Sequence, residues 1–403
     1  MKRAAILTSI VVGGLAVAGI AAAQRAAEPA PSNKIEHIKG NLYKIFDGCS
    51  CGNTTVFVTD KGVVLVDTKV ARNGQYILDQ VKTVTDKPVI MMINTHIHPD
   101  HNGSNEEIKA VYPNIDVVAH ENLKKRVEDA MKAPPPPPGT RGGARYTAAQ
   151  DPNITFADKR SVLSGKDRID LYYFGRGHTD NDIFVVYPSV GVMNVGDLMA
   201  WDMAPLIDPG TNGSVLALPD TMEKADKGIP KSIDQIITGH GAVFPRKTMT
   251  DYASYMRDLV NESKKGLAAN QTPDEVLAAL QKVEEAKDPA RSRYFTHDNK
   301  PGLEYGQSPA TRSLININVA YEELSGETVS SFFGGALKAT DKHKGGSNPD
   351  LLSPPRPPRP GPPGGGAGGP PGGGRPGGGP PAGGAGGPPA GGPPAGAPRP
   401  GGA

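Results

Sequence analysis

The sequence predicts an α+β fold in which two β-sheets are covered by outer helices, followed by a helical extension and a tail with no core of its own. Three observations lead there. Short β-branched runs joined by tight turns fill the first part of the chain, apolar strands alternate with amphipathic helices after them, and the segment from Ser353 to Ala403 is almost wholly Pro, Gly and Ala with a few arginines.

The chain opens with Met1, Lys2 and Arg3, an apolar run from Ala4 to Ala23, and a small-residue site, Ala21-x-Ala23, before Gln24. That is the layout of a secretory signal peptide over residues 1–23, cleaved near Ala23. The run is also long enough to span a bilayer, so an uncleaved anchor is the alternative. Gly13-Gly14 and Ala21-Ala22-Ala23 suit cleavage, which predicts a secreted or periplasmic protein with no stable membrane span.

After a polar lead from Gln24 to about Lys39, strands are predicted at Leu42 to Phe46, Thr54 to Thr59 and Val63 to Val66, punctuated by Asp47-Gly48 and Lys61-Gly62. Tyr76, Ile77, Val81 and Val84 share one face of a helix over Asn73 to Val84. The apolar run Pro88 to Ile93 reads as a strand buried on both faces, and its end is where a ligand-bearing loop belongs. Helix Asn105 to Tyr112, strand Asp116 to Ala119 and helix Asn122 to Met131 continue the alternation. Further strands are expected at Arg168 to Phe174, Ile183 to Tyr187, Val190 to Val195 and Gln235 to Thr238, with helices near Thr221 to Lys227 and Thr248 to Lys264.

This places the main domain at 24–250. A helical extension over 251–330 holds two amphipathic patterns, Pro273 to Val283 and Ser308 to Leu324, the first opened by the capping box Thr272-Pro273-Asp274-Glu275. These helices carry no chemistry of their own and are expected to pack on the main domain. Within that domain, Ala133 to Arg145 contains five consecutive prolines followed by three glycines and cannot form helix or sheet interior. It is an exposed insert, either a solvated loop or a lid. The Pro/Gly-rich tail, 331–403, is predicted to be disordered and lacks the strict triplet period of collagen.

Charge excludes a nucleic-acid partner. The whole chain carries a formal +2, but residues 24–352 hold 38 basic against 42 acidic groups and so lack a basic footprint. Only Cys49 and Cys51 are present. A bridge across one intervening residue forces strained geometry, so two thiols in a turn is the expectation, with a thiolate metal ligand as the alternative.

The chemistry is carried by histidines. Of nine, five fall where apolar strands end. His96-Ile97-His98-Pro99-Asp100-His101 packs four potential ligands into six residues just after the strand ending at Ile93. In an extended segment residues two apart face the same way, so His96 and His98 can grip one ion while Asp100 and His101 in the following turn point at a second. A lone histidine at a strand end is ordinarily just solvated; three with an aspartate in so short a span point to a metal. Further candidates recur at separate strand ends: His178 in Gly177-His178-Thr179, Asp197 in Gly196-Asp197, and His240 in Gly239-His240-Gly241. Asp180 and Asp182 are expected to be solvated turn residues that start the next strand, with a supporting role at the site as the alternative.

This ordered set, H-x-H-x-D-H, then G-x-x-H-T, G-D and G-H over roughly Ile35 to Pro245, resembles the metallo-β-lactamase superfamily. The resemblance implies an αββα sandwich and two Zn2+ ions, one bound by His96, His98 and His178, the other by Asp100, His101 and His240, with Asp197 bridging them. Asp67 in Val66-Asp67-Thr68 matches the family's early strand-end aspartate, which orients a ligand from behind. The implied function is an exported zinc hydrolase whose metal-bridged hydroxide attacks an ester, lactone or thioester of a small-molecule substrate, with Asp100 relaying a proton. True metallo-β-lactamases do not usually carry aspartate at the position of Asp197, which turns the expectation away from β-lactams. The alternatives are a β-lactam hydrolase, a redox enzyme with one iron like the persulfide dioxygenases, and a non-catalytic protein contacting envelope polymers through its Pro/Gly tail.

Overall fold

The computed structural model describes residues 35–46, 51–134, 146–296 and 308–326. The predicted signal peptide, Cys49, all but the first two residues of the Pro-rich insert and the Pro/Gly-rich tail lie outside the described residues. Among those residues no helix is long and apolar enough to cross a membrane.

Seven strands form the first sheet in sequence order: β1 (Ile35–Lys39), β2 (Leu42–Ile45), β3 (Thr54–Val58), β4 (Val63–Val66), β5 (Val89–Ile93), β6 (Asp116–His120) and β7 (Ile154–Phe156). The first four run antiparallel as a meander, and the pairings from β4 to β7 are parallel. Helices make the parallel crossovers, as connections of that length require: α1 (Gly74–Lys82), α2 (Pro99–Asn102) with α3 (Asn105–Val111), and α4 (Glu121–Lys132).

The second sheet contains β8 (Lys159–Val162), β9 (Ile169–Tyr172), β10 (Phe184–Tyr187), β11 (Val192–Asn194), β12 (Gln235–Ile237) and β13 (Val243–Pro245), in the order β13-β12-β11-β10-β9-β8. Only β11 and β12 pair in parallel, and their crossover includes α5 (Leu218–Gly228). The chain continues in α6 (Lys247–Ala268), α7 (Pro273–Lys287) and α8 (Pro309–Ser325).

Three layers of apolar contact join these parts. Phe57, Val64, Val66, Ile93 and Val118 of the first sheet meet Ile169, Leu171, Val185, Tyr187 and Ile237 of the second. On the outer face of the first sheet, Val56, Leu65 and Met92 pack against Ile77, Leu78 and Val81 of α1 and Ile108 of α3. On the outer face of the second, Phe184, Val186 and Met193 pack against Met222, Leu259, Leu280 and Ile317 of α5 to α8. The result is an αββα sandwich. The helices beyond residue 250 are one of its outer layers, sharing a continuous core with the second sheet.

Four strands escape the sequence reading: β1, which falls in the supposed polar lead, and β7, β8 and β13. All four are sheet edges. An edge strand is held by backbone hydrogen bonds on one side and needs little apolar surface, and β1 and β8 are largely exposed. The capping box forms as predicted: Thr272 Oγ1 accepts from Glu275 N at 3.2 Å and Glu275 Oε2 accepts from Thr272 N at 2.8 Å.

The inter-sheet core should be the most sensitive to truncation. Phe57 is fully buried and its ring lies 5.1 Å from that of Tyr187 on the opposing sheet. Phe57→Ala should cost about 3–5 kcal/mol, read as a fall in the denaturant midpoint with an unchanged m-value.

Candidate metal centre

The two sheets deliver their ligands at one end of the sandwich. Within each sheet, parallel pairing lays strand ends side by side: β4 and β5 in the first, β11 and β12 in the second. Asp67 follows β4, His96 and His98 follow β5, Asp197 follows β11 and His240 follows β12; His178 stands in the loop between β9 and β10. The seven side chains His96, His98, Asp100, His101, His178, Asp197 and His240 converge there, and three sets of them could hold a metal ion: His96, His98 and His178; Asp100, His101 and His240; and His96, His101 and Asp197.

The inward atoms crowd each other. His98 Nδ1 lies 2.8 Å from His178 Nε2, and His101 Nε2 lies 3.3 Å from His240 Nε2. Asp100 Oδ2 is 3.2 Å from His240 Nε2. Asp197 reaches both sets, with its carboxylate oxygens 3.3 Å from His101 Nε2, 3.4 Å from His240 Nε2 and 3.8 Å from His178 Nε2. His96 Nε2 is buried with no hydrogen-bond partner, and Asp197 Oδ1 makes no hydrogen bond beyond its 3.3 Å ion-pair contact with His101 Nε2. Buried polar atoms are ordinarily satisfied, so two such atoms aimed into one cluster fit a cation.

The outward nitrogens of four histidines are occupied. His101 Nδ1 donates to Asp67 Oδ2 at 2.8 Å. Thr95 Oγ1 also donates to Asp67 Oδ2 at 2.8 Å and lies 2.9 Å from His96 Nδ1, from which it can accept. Asp67 thus orients one ligand directly and a second through a hydroxyl. It does so from a left-handed backbone position, φ 62°, pinned by Thr95 N at 2.8 Å. His98 Nε2 donates to Asp208 Oδ2 at 2.9 Å, and His178 Nδ1 to the carbonyl of Leu206. For His240 the contact is a ring: the Trp201 indole stacks on it at 4.5 Å. Such outer partners fix tautomer and orientation. Asp208, Thr95 and Trp201 are absent from the sequence reading; Asp208 lies over a hundred residues from His98, and no local pattern marks it.

Two glycines make room. Gly196 takes φ 51° in the turn before Asp197. A Cβ on Gly239 would lie 1.9 Å from Asp197 Oδ1 and 2.7 Å from the backbone of Gly196, so the loop before His240 can pass this close only without a side chain.

Electrostatics divide the site. Burial, reinforced by neighbouring histidines, holds His96 well below its usual value and brings His178 down to about 4. At His240 burial acts the same way but Asp197 and Asp100 outweigh it, leaving the imidazole at about 9; His101 is raised for the same reason. In return, against the upward push of burial, His101 and His240 hold Asp100 down to about 2 and Asp197 well below the carboxylate range. Without metal, protons on His101 and His240 supply the positive charge that the two carboxylates demand.

Three expectations change. Cys51 is disulfide-bonded rather than a thiol in a turn, and so offers no thiolate to a metal. Its neighbour Gly52 donates its amide to the Asp100 carbonyl at 3.1 Å, so the segment backs the ligand loop. Asp180 and Asp182 are buried, not solvated. Asp180 accepts two bonds from the Arg126 guanidinium, at 2.7 and 2.6 Å. Asp182 accepts from Thr179 N and Thr179 Oγ1, at 2.7 and 2.8 Å, which shapes the turn after His178.

Burial raises Asp182 to about 7, above the roughly 3.9 of an unfolded aspartate. The folded state therefore binds this proton more tightly. The stability it contributes is complete below about pH 4 and is lost as pH rises through 7. Asp182→Asn, which mimics the protonated acid, should flatten that part of the stability profile measured by denaturant titration between pH 4 and 8.

Residues 48–200 match the family pattern described as the Metallo-beta-lactamase superfamily. The chain is 30% identical over 170 residues to the metallo-beta-lactamase type 2 of Elizabethkingia meningoseptica, an overlap covering 40% of this chain and 61% of that protein. It is 29% identical over 126 residues to the hydroxyacylglutathione hydrolase of Synechocystis sp., covering 31% of this chain and 40% of that one. The stereoselective inverting sec-alkylsulfatase from Pseudomonas sp. shares the fold with a TM-score of 0.55 at 17% identity, over 72% of this chain and 50% of that one. The αββα architecture and the ordered motifs agree with the matched segment: over residues 48–200 the chain is similar to the metallo-β-lactamase superfamily, and it spans less than two thirds of the length of either relative.

Proposed function

We propose that the protein is an exported dinuclear zinc hydrolase that cleaves an ester, lactone or thioester bond in a small molecule. The observation that carries this reading is the pair of buried atoms that make no hydrogen bond, His96 Nε2 and Asp197 Oδ1, inside a cluster whose outward nitrogens are already committed. His96 Nε2, His98 Nδ1 and His178 Nε2 would hold one ion, and Asp100, His101 Nε2 and His240 Nε2 the other, with Asp197 between them. Imidazole and carboxylate donors suit zinc. When bound, a zinc pair supplies hydroxide at neutral pH and polarises the oxygen of the scissile group.

The chain's own residues do the rest. Asp67, Thr95 and Asp208 engage the outward nitrogens of three imidazoles, so that the inward nitrogen is the one that would give up its proton to a metal. Asp100 is the most open of the seven, with its side chain 18% exposed. Held as a carboxylate, it can accept the proton released by the nucleophile and pass it to the leaving group. The signal-like first 23 residues support export, and the slight acidic excess of residues 24–352 supports a small-molecule substrate over nucleic acid.

Protein purified without added metal should carry about two zinc ions per chain; one iron overturns the proposal. Tested on generic esters, lactones, thioesters, phosphodiesters and nitrocefin, it should hydrolyse an acyl substrate. The paired change His96→Ala and His98→Ala should lower kcat/KM by several orders of magnitude. Turnover of nitrocefin alone would favour the β-lactam reading, and chelator-resistant turnover would exclude a metal mechanism.

A further inference from the structure

The loop from Met199 to Leu216 touches three of the site histidines at once. Trp201 stacks on His240, the Leu206 carbonyl accepts from His178 Nδ1, and Asp208 accepts from His98 Nε2. The loop has almost no regular structure of its own beyond a single short turn, Pro209–Thr211, and Trp201 sits in it at φ 54°, a conformation an aromatic residue rarely adopts unaided. On the side of the centre, backbone bonds hold it: Trp201 N donates to the His240 carbonyl at 3.0 Å and Asp208 N to the His178 carbonyl at 2.8 Å.

On the opposite side the support comes from α8. The Arg312 guanidinium lies 4.8 Å from the Trp201 ring, and its NH1 is 3.5 Å from the Ala204 carbonyl. One turn on, Asn316 Nδ2 donates to the Pro205 carbonyl at 2.8 Å. Two turns further, the Glu323 carboxylate accepts from Ser214 Oγ at 2.6 Å and Val215 N at 2.7 Å. Arg312 and Asn316 are buried. Three polar side chains along one face of a helix thus grip both ends of the loop, whereas packing alone would need only the apolar residues of that helix.

We propose that α8 is a brace for the metal centre: through the 199–216 loop it positions His98, His178 and His240, so that the C-terminal helical layer sets the affinity for metal. This rests on the reading of the cluster as a metal site. Arg312, Asn316 and Glu323 are positioning residues, since none touches the centre itself.

The test uses the full chain, freed of metal and titrated with zinc against a chromophoric chelator. The fluorescence of Trp201, the single tryptophan, is recorded in parallel. Asn316→Ala and Glu323→Gln should each weaken zinc binding about 10- to 100-fold and shift the Trp201 emission, with the far-UV spectrum unchanged. Ser313→Ala is the control. Its hydroxyl bonds Tyr255 and the Tyr294 carbonyl, away from the loop, so it should lower Tm while leaving zinc affinity within about twofold of the wild type. Should Asn316→Ala not fold, the conservative Glu323→Gln carries the test. Zinc affinities of Asn316→Ala and Glu323→Gln equal to the wild type overturn the brace alone, as does an equal weakening by Ser313→Ala. A wild-type chain that binds no zinc overturns the functional reading and the brace with it.

Discussion

Two carboxylates, Asp100 and Asp197, share a water-poor space with five imidazoles, and the charge balance of that space governs the rest of the structure. The cluster lies in the interior of the sandwich end, where an unpaired charge is far costlier than at the surface. Asp197 Oδ1 and His96 Nε2 make no hydrogen bond, and the carboxylates drive His101 and His240 to hold protons they would otherwise release near neutrality. Metal uptake in the proposed centre replaces those protons with cations of greater charge, so binding and proton release are coupled. The strained φ of Asp67, the glycine at 239 and the buried carboxylate of Asp208 are features that make sense as supports for that replacement.

The fold answers this demand with parallel strand pairing. A meander returns each strand end to the opposite edge, whereas β4 with β5 and β11 with β12 bring four chain ends to the same side. Packing the two sheets face to face through Phe57, Val64, Leu171 and Val185 then superimposes the two pairs. The first sheet supplies a contiguous ligand segment, His96 to His101, and the second supplies His178, Asp197 and His240 one loop at a time. The matched family segment ends at residue 200, so His240 and the loop and helix that support the site lie beyond it.

Much of this was legible in the sequence, and the physical reason differs by element. Interior strands such as Val63–Val66 and Val89–Ile93 announce themselves because both faces are buried. The seven convergent side chains were legible because four are packed into the six residues after the strand ending at Ile93, and the other three, His178, Asp197 and His240, each follow a glycine near a strand end. The four edge strands were not, because backbone pairing on one side holds them with little apolar surface, and in β1 and β8 most side chains meet water. Asp182 and Asp180 were misread for a related reason: acidic residues after His178 look like solvated turn formers, and only the fold reveals Thr179 and Arg126 as the donors that let them be buried. Asp208, Trp201 and the contacts of α8 act across long sequence separations, to which local pattern is blind.

The central claim is that these seven side chains hold two cations. Anomalous diffraction at the zinc edge, on crystals of the full chain grown with zinc, addresses it directly. The account predicts two peaks about 3.5–4 Å apart. One should lie roughly 2.0–2.2 Å from His96 Nε2, His98 Nδ1 and His178 Nε2, the other at similar distances from Asp100, His101 Nε2 and His240 Nε2. A single peak in the cluster, or zinc found only at the protein surface, would contradict it.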